Sequence, residues 1–364
     1  MAPSPTPAAL SDALAPSGGS AADLQAPRER RLAVAKTIAL LAITAVAFAL
    51  PYLVTNPSQL NYAILVLMIA QAGVAWNILG GYAGQVSLGH AAFYGIGAYT
   101  STQLLLVFNV SPWLGMIAGG ALAVVFALAI GWPCFRLKGH YFAMATIAIA
   151  EILQIVVTNW DWLGGAVGLT LPLAERGWWG FVFNKSKVPY YYIILGLLLF
   201  TLFASWLIGR SFLGYYFRAI KDEPDAARSV GVDLTRYKLV AIAASSFLTA
   251  LGGTFYAQKE LFIDPGSTLA TGLSVKIALV AILGGVGSLG GPVAGAVVLT
   301  AIEESTRAMF GGSGRGTDLV IYGLLIIVIA VFYPGGVAGW LREMEARWLG
   351  RRKTDDVAKR ENAQ

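Results

Sequence analysis

The sequence predicts an all-α polytopic membrane protein of about ten transmembrane helices, some of them interrupted at glycines, with one short helix in a polar loop. Three observations carry this. Hydrophobic residues make up 57 % of the chain, charged residues only 13 %, and the mean hydropathy is +0.66. Several apolar runs reach the roughly 20 residues that cross a hydrocarbon core. Those runs are continuous rather than alternating, which excludes a transmembrane β-barrel.

Composition also removes other classes. The one cysteine, Cys134, cannot form an intramolecular disulfide. The two histidines, His90 and His140, are far apart in sequence and suggest no metal cluster. The net charge of +6 reads as membrane topology rather than nucleic-acid affinity, because the basic residues gather at span ends.

Residues 1–31 read as a cytoplasmic tail, disordered through its Ala-, Pro- and Ser-rich first part. Residues 32–340 form the transmembrane domain, and 341–364 a second cytoplasmic tail. Within the domain, spans are expected at 32–54, 60–79, 88–107, 113–132, 141–159, 189–209, 236–257, 273–290, 292–310 and 317–333. With the N-terminus inside, the inward-facing pieces hold 19 of the 26 Lys and Arg residues. Both termini are then cytoplasmic, as an even span count requires. The longest outward connection, Trp160 to Pro189, carries Trp160, Trp162, Trp178 and Trp179, as an interfacial aromatic belt would. The same loop could serve as a landing surface for an extracytoplasmic partner.

Two stretches are rich in glycine. Asn77–Tyr99 reads NILGGYAGQVSLGHAAFYGIGAY, and Ile282–Ala296 reads ILGGVGSLGGPVAGA. Gly80, Gly81, Gly84 and Gly89 in the first, with Gly284, Gly285, Gly287 and Gly291 in the second, allow close helix packing or an interrupted helix beside a cavity. Neither is a phosphate loop, since no lysine follows the glycines at the required place. No nucleotide-binding motif is visible, so any ATP that drives the protein is hydrolysed by another subunit. The echo of Gly-Gly followed by Ser-Leu-Gly does not fit an inverted repeat, because both copies follow inward-running spans. It reads as coincidence.

The polar loop, residues 210–238, holds 10 of the chain's 46 charged residues. Its centre is delimited as a very short helix. Asp222 or Glu223 can cap it, Pro224 suits its first position, and Asp225 complements its N-terminal dipole. Arg228 suits the last turn and Gly231 the left-handed residue that ends it. About two turns long, with Ala226, Ala227 and Val230 as its apolar face, such a helix is too short to stand alone in water. That makes it a docking piece.

DAARSVG, at Asp225–Gly231, resembles the cytoplasmic coupling helix of ABC-importer permeases, which sits in a groove of the ATPase subunit. Both Gly-rich stretches, the TIAIAEI segment around Glu151, the RAIKDEPDAARSVGVD loop and the YPGGVAGW ending at Tyr333–Trp340 resemble the LivM family, the M-type permease subunit of branched-chain amino-acid ABC importers. The resemblance implies a bacterial inner-membrane transport subunit that is not itself an enzyme and needs no cofactor. It implies as partners two ABC ATPase subunits, a second permease subunit in a heterodimer, an extracytoplasmic substrate-binding protein and the membrane lipid. It assigns Glu223, Asp225, Ala226, Ala227, Arg228 and Gly231 to ATPase coupling. One departure lies in the outer loop, where LGGAVGLT has Leu163 and Val167 at positions that are often Thr and polar in the family.

Candidates for the translocation path are Gln85, Ser87, His90, Tyr94 and Glu151. Glu151 lies about 15 Å along its span, near mid-membrane. It either lines the path, near a substrate ammonium, or holds helices together by hydrogen bonds to Ser, Thr or backbone groups. His90 reads as a cross-helix hydrogen-bonding residue. Glu303 and Glu304 lie within helical reach of Arg307, and Lys276 is placed to snorkel to the outer interface. Cargoes other than branched-chain amino acids (urea, amides or aromatic acids) stay open. A secondary transporter would account for Glu151 but not for the polar loop, and an intramembrane enzyme lacks a nucleophile-base pair.

Overall fold

The computed structural model describes residues 44–53, 56–137, 139–173, 177–183 and 186–310, with four isolated positions further on. The predicted first and second tails therefore lie outside the described residues, as do the tenth span and the YPGGVAGW ending apart from those four positions. The chain forms two units, divided after Thr55. The first contributes one short apolar helix, α1 (Thr44–Leu53), within the predicted first span. Everything below concerns the second.

Asn56 caps α2 (Pro57–Asn77) by accepting a hydrogen bond from the Ser58 amide at 3.0 Å, with Pro57 in the first turn. The helix then widens into a π-turn, Ile78–Tyr82, and stops. Residues 83–89 are irregular, and α3 (His90–Phe108) follows, closed by Asn109 in the left-handed conformation. Next come α4 (Pro112–Cys134) and α5 (His140–Thr158). The loop between α5 and the next long helix holds strand β1 (Leu169–Thr170) and a helical turn, α6 (Gly177–Gly180). Then α7 (Val188–Arg210) leads into the polar loop with α8 (Phe212–Asp222) and α9 (Pro224–Ser229). The 27-residue α10 (Leu234–Glu260) returns to β2 (Phe262–Ile263), α11 (Pro265–Thr268), α12 (Thr271–Gly284) and α13 (Gly291–Phe310).

Among the described residues, seven helices are long and apolar enough to cross a membrane. They match the predicted second to eighth spans. The eighth differs at its end: α12 stops at Gly284, because Gly285 takes φ +111°, and residues 285–290 form a loop rather than helix. The ninth expected span appears as α13, less apolar because Glu303, Glu304 and Arg307 lie on it.

The centre is α10, which packs most extensively on α4 and α3 and also touches α2. It can do so because backbones approach where side chains are absent. A Cβ on Gly97 would lie 2.1 Å from the Ala250 carbonyl oxygen, and one on Gly253 would lie 1.9 Å from that of Tyr94. On the other flank, α2 packs against α7, α12 and α13. Exposed apolar side chains concentrate on α4, α5 and α7, including Leu114, Ile117, Val125, Met144, Ile152 and Phe203. Such faces suit lipid or a neighbouring subunit.

The expected interruption in the first Gly-rich stretch is present. Ser245 donates to the Ala75 carbonyl at 2.7 Å and lies 2.8 Å from His90 Nε2, which puts the start of α3 level with Ala75. Ala75 precedes the end of the π-turn by about 10 Å of helix. The chain therefore runs to Tyr82, doubles back through 83–89 and restarts as helix inside the bundle. Trp76 Nε1 donates to the Ser87 carbonyl at 2.7 Å and secures the returning segment.

Candidate functional site

The polar loop contains the predicted short helix, with two corrections. Glu223 occupies the N-cap position, but neither it nor Asp222 makes a side-chain capping bond, so α9 relies on Pro224 and Asp225 at its start. The expected apolar face divides. Ala227 is buried in a small cluster with Ile220 of α8 and Leu234 of α10, whereas Ala226 and Val230 face outward. The helix ends at Ser229, so Val230 is the C-cap and leaves the face it would share with Ala227, while Ala226 is turned about 100° from its docked neighbour. Gly231 has φ +88°, the left-handed geometry expected, and Ser229 donates to the Asp225 carbonyl at 2.9 Å. What remains is an exposed knob formed by Glu223, Asp225, Ala226, Arg228 and Val230.

The glycine stretches meet each other. Asn77 Oδ1 accepts from the Gly287 amide at 2.9 Å, and its Nδ2 donates to the Ser288 carbonyl at 2.9 Å. A Cβ on Gly81 would lie 1.9 Å from Asn77 Oδ1, so this clamp needs glycine there. Gly80 is filled by the Trp76 ring, Gly89 by the Thr146 backbone, Gly284 by the Gly291 backbone and Gly291 by Ser288. Gly84, Gly285 and Gly287 all have positive φ. The sequence echo thus has a spatial counterpart, since both stretches end membrane-length helices at one place.

The path candidates separate into two groups. Ser87 Oγ lies 3.2 Å from His90 Nδ1, and His90 is wholly buried between Ser87 and Ser245. That is the cross-helix role expected of His90. Tyr94 is buried one turn further on, its ring 5.8 Å from that of Tyr256. Gln85 bonds locally to the Ala83 carbonyl at 3.2 Å. Glu151 stands apart, accepting a hydrogen bond from the Thr271 hydroxyl in the first turn of α12. A carboxylate beside a helix N-terminus is stabilised by the dipole as well as by the hydroxyl.

Three further polar residues carry weight that sequence reasoning missed or misread. Lys276 does not simply reach toward the interface. It pairs with Glu303 across α12 and α13, while Arg307 holds Glu303 at 3.6 Å and Glu304 at 3.8 Å. Gln71 is wholly buried, donating to Thr201 Oγ1 at 3.1 Å and to the Leu248 carbonyl at 2.8 Å, which links α2, α7 and α10. Gln258 is equally buried, and neither of its side-chain polar atoms has a partner among the described residues. The usable signal was simply an amide inside an apolar run. Toward the loop that carries β1, a cavity of about 340 Å³ lies between α3, α4 and α5, lined by Tyr99, Phe126, Leu153, Val157, Trp162 and others.

A bundle of long apolar helices with broken helices at its core and an exposed short helix between spans defines a membrane permease. Residues 58–329 match the family described as branched-chain amino acid transport system / permease component, and the chain belongs to that family. It is similar to the high-affinity branched-chain amino acid transport system permease protein LivM of Salmonella typhimurium, 27 % identical over 326 residues, covering 84 % of this chain and 75 % of that one. LivH of Escherichia coli is 25 % identical over 291 residues, covering 74 % and 91 %. BraD of Pseudomonas aeruginosa is 25 % identical over 290 residues, with 74 % and 91 % covered. The chain is thus a permease component of a multi-subunit ABC transport system, not its catalytic subunit.

Proposed function

We propose that this permease imports branched-chain amino acids across the bacterial inner membrane, with both termini in the cytoplasm. It works beside a second, different permease subunit, receives cargo from an extracytoplasmic binding protein and is driven by two ATPase subunits, one of which docks on α9. The observation that carries this reading is the exposed knob of α9. It stands between two membrane-length helices, buries Ala227 against its neighbours, and presents acidic, basic and apolar side chains together. Val230, 80 % exposed, stands beside Ala226 and Arg228 on that knob, where a docked partner would cover them together. The names of the relatives support the cargo. Closure of the ATPases would shift α9, and the broken helices around His90, Ser87, Gln85 and Tyr94 would open inward, with Glu151 near mid-membrane.

Uptake by the reconstituted complex tests the cargo. Labelled leucine should be taken up only with ATP and binding protein, and isoleucine and valine should compete where urea and aromatic acids do not. Uptake driven by an ion gradient alone, without the ATPase subunits, would overturn the proposal.

A further inference from the structure

Helix α8 is fastened to its surroundings by two cations at helix ends. Arg218 donates to the Gly209 carbonyl at 2.6 Å, at the end of α7, and to the Gly214 carbonyl at 3.1 Å. Lys221 Nζ donates to the Gly81 carbonyl at 3.0 Å, inside the π-turn that ends the 26-residue helix Pro57–Tyr82. A helix C-terminus carries partial negative charge and unpaired carbonyls, which a point-like ammonium on a flexible stem can satisfy.

The lysine touches more than one helix end. A Cβ on Gly287 would lie 3.3 Å from Lys221 Nζ and 3.2 Å from the Gly81 oxygen, so the loop after α12 closes over the same ammonium. A Cβ on Gly84 would lie 3.0 to 3.2 Å from Cγ, Cα and Cβ of Lys221, so the segment after the π-turn packs along its stem. Asn77 clamps the two glycine stretches to each other at the same point. One residue earlier, Ile220 is buried with Ala227 of α9. Consecutive residues of α8 thus grip the short exposed helix and both helix interruptions.

We propose that Lys221 is a positioning residue for transport, the strut through which displacement of α9 reaches the ends of α2 and α12. It rests on the reading of α9 as the ATPase-docking helix. When α9 moves, Ile220 follows through its contact with Ala227, and Lys221 carries the π-turn and the loop 285–288 with it. Without the ammonium, α9 can move while the broken helices stay in place. Hydrolysis then continues without translocation.

The test uses the complete complex in liposomes, with binding protein and leucine as the transport probe. Lys221→Met keeps the stem and removes the hydrogen bond. The expected result is binding-protein-stimulated ATP hydrolysis within about twofold of the parent, an unchanged melting temperature, and leucine moved per ATP lower by about tenfold. Lys221→Arg, which retains a cationic donor, should recover most of that ratio. A lysine that merely caps a helix would lower hydrolysis, transport and melting temperature together, and that outcome overturns the proposal. So does an unchanged ratio in Lys221→Met. Val230→Asp, on the exposed side of α9, separates the two readings: it should depress stimulated hydrolysis itself. Hydrolysis untouched by Val230→Asp would sink the docking reading, while the ratio in Lys221→Met still judges the strut.

Discussion

At one end of the bundle, around Lys221, helices meet through glycines and through cations placed on carbonyl oxygens. At the other, around Phe181, they meet through aromatic rings and paired strands. Phe181 is wholly buried although its φ is +60°, and its ring sits 4.7 Å from Trp113, 5.9 Å from Phe255 and 6.2 Å from Tyr190. Leu169 and Thr170 pair with Ile263 and Phe262, and a capping box between Asp264 and Ser267 fixes the next turn. A non-glycine residue persists in left-handed backbone only when its surroundings over-determine it. The Phe181 end therefore draws on large apolar burial, which is lost all at once or not at all. The Lys221 end draws on a few directional bonds, which can be broken and remade one by one. On the proposed reading, in which α9 is displaced by the ATPase, the end that is displaced is the one built from those separable bonds.

The largest effect should come from attacking the rigid end. Phe181→Ala removes a fully enclosed ring and should cost about 3–5 kcal/mol. Thermal unfolding of the detergent-purified protein would show it as a clearly lowered melting temperature. A shift within experimental error would dissolve the contrast between the ends.

Gly231→Val attacks the other end. Left-handed backbone costs a β-branched residue about 1–2 kcal/mol, and no neighbour lies within 4 Å of the new Cβ. The strain is local to α9, so melting should change little while stimulated ATP hydrolysis collapses. If the variant complex still hydrolyses ATP in response to loaded binding protein, α9 is not where the ATPase docks.

Arg218→Gln is the smaller test of the same end. Its partner carbonyl at Gly209 closes α7, but the side chain is exposed, so the stability loss should stay below about 1 kcal/mol. Hydrogen exchange at the amides of residues 207–212 should quicken locally. Protection lost throughout α7 would mean that this end is as cooperative as the other.

Which of these features the sequence announces follows from their range. Spans were legible because a 20-residue apolar run has few other uses, and α9 because Pro224, Asp225 and Gly231 delimit it locally. The place where α12 stops was harder, since Gly284 and Gly285 read equally well as close packing within a continuing helix. Contacts between distant residues left no local mark. Lys221 finds Gly81 across 140 positions, and Lys276 finds Glu303 across 27. In sequence, Lys276 is indistinguishable from a lysine reaching for the interface. Ala227 and Ala226 are likewise identical in type, and the positions of Ile220 and Leu234 decide which one is buried. His90 was readable as structural because a lone imidazole among small residues has hydroxyls as its natural partners, and Ser87 and Ser245 supply them.

The smallest expected effect sits between the two ends, at Glu151. Its carboxylate accepts the Thr271 hydroxyl, and Thr271 opens α12, whose far end closes over Lys221. Glu151→Gln keeps an oxygen that can accept the same bond and removes only the charge. Interhelical hydrogen bonds in membranes average about 0.6 kcal/mol, so assembly and melting should hardly change. Glu151→Leu, which removes the acceptor, should cost somewhat more and free the start of α12. If the residue only anchors α12, leucine uptake by Glu151→Gln should match the parent within about twofold. Uptake that falls steeply in Glu151→Gln with assembly intact would show that the charge itself meets the cargo, since the amide preserves every contact except the one a substrate ammonium would feel.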